Sequence, residues 1–237
     1  MVTKNDIICD LTQNILSDCK DNSIDIRLFG SVALLFLDRA KNGLNNKFLR
    51  EVADIDIIVK PNHIIALENY FLSREYEANR QVKMLYGNSR RSFRLENNIS
   101  IDIFIGNITL CQDINILDRF NMDYPTIPPS DLFLTKIQKR YLSEKDVSEK
   151  DVFDINFILE YGIDYQYIIK LSSENWNWWK TLTTNIPFFL EKNISENSKN
   201  LLINLLSEIN SNDKSLNWKW KLRNFIGEKM QWYNDVE

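Results

Sequence analysis

Apolar residues recur at helical spacing near the start of the chain, at Ile7, Ile8, Leu11 and Ile15, and predict an amphipathic helix over 7–16. The period then falls to two. Ile24-Asp25-Ile26-Arg27-Leu28 alternates apolar and polar side chains as a half-buried strand does, up to Phe29-Gly30-Ser31, where a helical pattern over 32–40 takes over. A polar stretch over 41–50 precedes a second strand over 53–59, which Pro61 ends. Beyond it the pattern predicts a helix over 64–74, weaker strands over 83–86 and 91–95, and a further alternating strand over 100–105. The later strands are close enough in sequence for hairpins, so the expected sheet is mixed rather than purely parallel.

Pro125, Pro128 and Pro129 are the strongest punctuation in the chain, and Ser130 after them suits the N-cap of a helix running to about 142. Helical periodicity dominates from there, over 149–161, 175–192, 195–210 and 215–233. The expected fold class is α+β: a mixed β-sheet with flanking helices over 1–125, then a helical domain over 126–237.

Composition narrows the function classes. With 237 residues, 44% of them hydrophobic, the chain is long enough for a substantial core. Its longest apolar runs, over 32–37 and 201–206, fall far short of the roughly 20 residues of a membrane span. Asp6, Asp10 and Asp18 interrupt the first twenty residues, so no secretory signal is expected there and the protein is read as cytoplasmic and not membrane-bound. Cys9, Cys19 and Cys111 are odd in number with no Cys-x-x-Cys pair, a pattern of reduced thiols. A single histidine, His63, argues against mechanisms that need paired imidazoles, and a net charge of -4 argues against broad electrostatic binding of nucleic acid.

The candidate chemistry lies in the strands. In Asp54-Ile55-Asp56 the acids are two residues apart, so on a strand both carboxylates leave one face, roughly 6 to 7 Å apart. Asp102, in Ser100-Ile101-Asp102-Ile103-Phe104, faces away from Ile101 and Ile103. If the two strands are neighbours, three carboxylates converge, and a divalent cation is the simplest way to keep them all ionised. Mg2+, or Mn2+ in its place, suits hard oxygen ligands and retains waters that phosphates can replace. Asp25 is an internal control: it alternates with Ile24 and Ile26 in the same way, yet nothing else marks it as functional. The second element is Gly30-Ser31 at a strand-to-helix turn, where glycine lets backbone approach a ligand closely and the helix-start amides with the Ser31 hydroxyl suit a triphosphate.

Phe29-Gly30-Ser31, Asp54-Ile55-Asp56 and Asp102 on a later strand, in that order, resemble the polymerase-β-like nucleotidyltransferase superfamily, although the stretch between Ser31 and Asp54 is longer than that pattern usually shows. Ser130-Asp131-Leu132-Phe133-Leu134-Thr135-Lys136 and Lys150-Asp151-Val152-Phe153-Asp154 are similar to later motifs of AbiEii-type and MenT-type nucleotidyltransferases. The resemblance implies a nucleotidyltransferase-type fold and transfer of a nucleoside monophosphate from a nucleoside triphosphate to an acceptor. It implies Asp54, Asp56 and Asp102 as catalytic metal ligands, Gly30, Ser31 and Lys136 as nucleotide-binding residues, a tRNA end as acceptor, and an antitoxin protein as partner. A small-molecule or antibiotic acceptor stays open, as does a catalytically silent module that binds RNA or a partner.

Other charges have plainer readings. Lys136 and Arg140 share a helix face at i, i+4, a solvated basic face if not a phosphate contact. Asp151 and Asp154 suit a helix-start charge or a salt bridge as well as they suit catalysis. Arg90, Arg91 and Arg94 could contact phosphate or acceptor. All six tryptophans fall beyond residue 175 and are expected mostly in the helical core, with Lys214, Lys219, Lys221 and Arg223 on an outer charged face.

Overall fold

Residues 2–43, 48, 50–95, 99–138, 147–212 and 218–234 are described by the computed structural model, and they form two units, 1–108 with 115–128 and 109–114 with 129–237. The class is α+β. Arg140, Lys214 and half of the loop expected over 41–50 lie outside the described residues.

In the first unit, helix α1 (Lys4–Asp21) starts one turn earlier than the apolar spacing alone predicts. The cause is a capping box: the Thr3 hydroxyl accepts the Asp6 amide, and the Asp6 carboxylate accepts the Thr3 amide and hydroxyl. Strand β1 (Ile26–Phe29) leads directly into α2 (Gly30–Asn42), and β2 is Asp54–Val59. Then follow α3 (Ile64–Ser73), β3 (Glu77–Ala78), α4 (Arg80–Tyr86), β4 (Arg90–Arg94) and β5 (Ser100–Ile105). The strand order is β1-β2-β5-β4-β3, with β2 and β5 parallel and the other pairings antiparallel, so the sheet is mixed. Thr126 extends it with a parallel bridge to Leu28.

One element differs in kind from the pattern. The segment expected as a strand over 83–86 is the helix α4, because the Asn79 side chain accepts the amides of Gln81 and Val82 and so nucleates a turn. Met84 and Leu85 stay exposed on it, so the apolar run that suggested a strand buries little.

The two sheet faces divide the work. Ile55, Ile57, Val59, Ile101 and Ile103 are fully buried on one face, where Phe71 of α3 stacks on Phe93 of β4. Each such aliphatic side chain contributes about 2 kcal/mol of transfer free energy. The opposite face carries Asp54, Asp56, Ser92, Ser100 and Asp102, all half-buried. The long connection before β2 is tied down by a buried acid: Asp38 of α2 accepts the Phe48 amide at 3.0 Å and the Asn42 side chain at 2.7 Å.

A short strand pair, β6 (Ile108–Thr109) and β7 (Asp113–Ile114), follows, of which Thr109 and β7 belong to the second unit; that unit continues with helices α5 (Pro129–Ile137), α6 (Glu149–Tyr161), α7 (Tyr165–Glu174), α8 (Trp176–Leu190), α9 (Glu196–Ser211) and α10 (Trp218–Ile226). Helix α7 is not among the helices that periodicity predicts, although Asp164 caps it by accepting the Tyr167 amide. Ser130 does not cap α5; it lies inside that helix, and its hydroxyl accepts the Asp164 amide. Trp176, Trp220 and Trp232 form a buried cluster, satisfied at the indole nitrogens of Trp176 by Asn224 and of Trp220 by the Ser172 carbonyl. Trp218 is the exception to the expected core, at 67% exposure. Among the described residues no helix is long and apolar enough to cross a membrane.

Candidate active site

Strand register assembles the site. Asp56 is the register partner of Asp102 across the parallel β2-β5 pair, and of Phe29 across the β1-β2 pair. Directly paired residues leave the same face, so the row Phe29, Asp56, Asp102 and Ser92 crosses four strands on the half-buried face. Asp54, two residues before Asp56, lies on the same face in the next row, beside Ser100 and then Arg94. The structure therefore brings the three predicted acids to one face on neighbouring strands.

Gly30 closes the near side. Its φ is +65°, a left-handed conformation that L side chains rarely adopt, and a Cβ built on it would stand 2.0 Å from Oδ2 of Asp56. The Asp56 carboxylate thus rests against the backbone at the start of α2. Phe29 precedes the helix in extended backbone and makes no side-chain cap hydrogen bond. Ser31 follows in this turn at 8% exposure.

The far side belongs to an arginine. Arg90 Nη2 donates to Asp102 Oδ2 at 2.9 Å, and the guanidinium lies 5.1 Å from the centre of the Phe104 ring, itself edge-on to Phe29. Arg90 Nε is buried with no hydrogen-bond partner. Arg90 and Arg94 share the acid face with Ser92, whereas Arg91 points the other way and pairs with Glu68 of α3. The three arginines thus do not act as one cluster. Arg90 and Arg94 lie an even number of residues apart on β4 and Arg91 does not, and the sheet pairing decides which face is which.

Asp25 stays outside the site, as its ion pair with Lys60 at 2.7 Å shows, and its amide donates to Nδ1 of His63. The Lys60 ammonium holds the Asp25 carboxyl below its usual range. Lys136 belongs to the second unit, where its ammonium is 2.8 Å from the fully buried carboxylate of Asp154. Asp151 is the acid of a capping box with Ser148 at the start of α6. Both later acids have structural partners.

Among the described residues, no group of three or more His, Cys, Asp or Glu side chains is disposed to hold a metal ion. The donor chemistry fits a hard divalent cation all the same: Asp54 and Asp56 supply only oxygens from one face, and the bare Gly30 backbone leaves room for the Asp56 carboxylate. Asp102 is the register neighbour of Asp56, and its Oδ2 accepts from Arg90.

No family model matches this chain, and no curated protein does. Among solved structures it is similar to the lincosamide antibiotic adenylyltransferase LnuA, solved with lincomycin bound, at 19% identity over 63% of this chain and 95% of that one, with a TM-score of 0.46. It is also similar to an antigenic nucleotidyltransferase-like protein from Paracoccidioides brasiliensis, at 15% identity over 88% of this chain and 92% of that one, with a TM-score of 0.42. Likenesses this distant leave the functional reading to the residues of the site.

Proposed function

We propose that the protein is a metal-dependent nucleotidyltransferase. The observation that carries the reading is the Asp56 carboxylate lying beside Asp102 in register and against the Gly30 backbone where α2 begins. A triphosphate needs hydrogen-bond donors and charge neutralisation: the amides at the start of α2 would supply the first, and a cation held by the adjacent carboxylates the second.

In this reading Asp54 and Asp56 hold Mg2+ or Mn2+, which supplies Lewis acidity at the α-phosphate and neutralises the leaving pyrophosphate. Gly30 and Ser31 bind phosphate oxygens through backbone amides and the Ser31 hydroxyl. Asp102 would complete the ligand set and help activate an acceptor hydroxyl by taking its proton. The acceptor oxygen bonds to the α-phosphorus as the bond to the pyrophosphate oxygen breaks. Arg90, released from Asp102, stays within reach of the phosphates as a counter-charge. We place the reaction in the cytoplasm, in keeping with the unpaired cysteines. A tRNA end as acceptor and an antitoxin as partner rest on the motif likeness to AbiEii-type and MenT-type proteins; an antibiotic or other small molecule is the competing acceptor.

The test is transfer of label from each α-labelled nucleoside triphosphate, with Mg2+ or Mn2+, into separate pools of tRNA, protein and small metabolites. Asp54→Asn and Asp56→Asn should each lower transfer at least about 100-fold, the equivalent of about 3 kcal/mol of transition-state stabilisation. Transfer that survives either substitution would overturn the assignment.

A further inference from the structure

An open cleft of about 750 Å³ lies at the β3-β4 edge of the sheet, where Ser92, Arg94 and Ser100 of the acid face meet Phe93 of the opposite face and Leu72 of α3. Ser100 and Ser92 form part of its floor, and they are the register neighbours of Asp54 and Asp102. The cleft is therefore continuous in register with the acids. The row that starts at Asp54 passes through Ser100 and Arg94 to Glu77, and both of these last residues line the cleft with Arg80.

The charges of the cleft differ in how they are used. Lys83 also lines it, but its ammonium is 3.1 Å from Glu68. Arg80 and Arg94 are exposed and make no ion pair among the described residues, which leaves two guanidiniums against the single carboxylate of Glu77. In a chain of net charge -4 such a local excess of positive charge is not a consequence of composition. Guanidinium groups match phosphate oxygens in geometry and are weakly hydrated, which favours them over ammonium for such a ligand.

We propose that this cleft is the acceptor site and that the acceptor carries a phosphate group, bound by Arg80 and Arg94. Two strand spacings separate Arg94 from Asp54, about 10 Å. A phosphate on Arg94 leaves a hydroxyl of the same nucleotide or its neighbour to reach the Asp56-Asp102 row. The proposal rests on the transferase reading for the identity of the ligand as acceptor. Its anion-binding content stands apart from that reading.

The probe is a fluorescein-labelled six-nucleotide single-stranded RNA, followed by anisotropy in EDTA without nucleoside triphosphate, so that neither metal nor the triphosphate site takes part. Arg80→Glu and Arg94→Glu should each weaken binding at least tenfold and flatten its salt dependence, by about 0.7 in log-log slope for each phosphate the protein no longer neutralises. Asp54→Asn should bind as tightly as the unmodified protein. Competition by uridine 3′-monophosphate at millimolar concentration would assign the phosphate to a free nucleotide; displacement only by unlabelled RNA would assign it to a polynucleotide end. Absence of binding, or binding indifferent to both arginine substitutions, would overturn the proposal. Both arginines are exposed, so folding of the variants is checked by circular dichroism against the unmodified chain. Loss of label transfer in Asp54→Asn with RNA binding intact supports both readings; arginine-dependent binding with transfer unaffected by Asp54→Asn removes only the transferase assignment.

Discussion

Gly30 bears two constraints at once, and either alone would exclude another residue. A side chain there would have to adopt a positive φ, at about 1–2 kcal/mol, and would collide with the Asp56 carboxylate, at about 1–3 kcal/mol more. Gly30→Ala should therefore lose about 2–5 kcal/mol in chemical denaturation, and Mn2+ binding should weaken as Asp56 is pushed aside. Full stability with unchanged Mn2+ affinity would refute the contact. Arg90 sets up the opposite effect. Its guanidinium holds the Asp102 oxygen that a cation would take, so Arg90→Gln should tighten Mn2+ binding in the absence of nucleotide, by about tenfold for a half-exposed pair. Electron paramagnetic resonance of free Mn2+ reads this directly, and weaker binding in the variant would count against the competition. Neither relation was legible in sequence. Gly30-Ser31 and Asp56 stand apart along the chain, and Arg90 and Asp102 meet only through antiparallel pairing.

At the scale of elements, Glu68 joins three of them: α3, which carries it, β4 through Arg91 and α4 through Lys83. Burial pushes its carboxyl pKa up, but the hydrogen bonds from Arg91 and Lys83 outweigh that and leave it below the ordinary glutamate value of 4.5. A depressed folded pKa means the stabilisation is complete above pH 4.5 and is lost as the pH falls through the folded value. Glu68→Gln should thus cost about 1–2 kcal/mol at pH 7, with the gap to the unmodified protein closing as urea melts are repeated below pH 4.5. A gap that persists unchanged as the pH falls through the folded value would show that the loss is steric. The same elements mark where periodicity succeeded. Strand β5 and helix α6 coincide with the apolar pattern because both bury one regular face. The segment 83–86 misled because its apolar residues are exposed, so a side-chain cap at Asn79 rather than burial decides its conformation.

For the molecule as a whole, all six tryptophans lie in the second unit, so intrinsic fluorescence reports that unit's unfolding. Lys136→Met removes one charged partner of the buried Asp154 carboxylate and should lower the fluorescence-detected stability by about 2 kcal/mol. A loss of nucleotide affinity with an unchanged transition would instead assign Lys136 to the triphosphate, as its motif suggests. Local patterns in the chain were enough to tell which side chains share a strand face, where the backbone turns at Gly30 and Pro125, and that the second half is helical. Alternation, helical period and backbone freedom are settled within a few residues. That β2 and β5 are parallel neighbours, so that Asp56 meets Asp102 across one strand spacing, emerged only once the sheet was assembled. The same holds for Arg90 facing the acids while Arg91 turns away, and for the open cleft with two guanidiniums that adjoins them. Pairing partner and register depend on which distant segments bury the isoleucine face together, and no short window of sequence contains that choice.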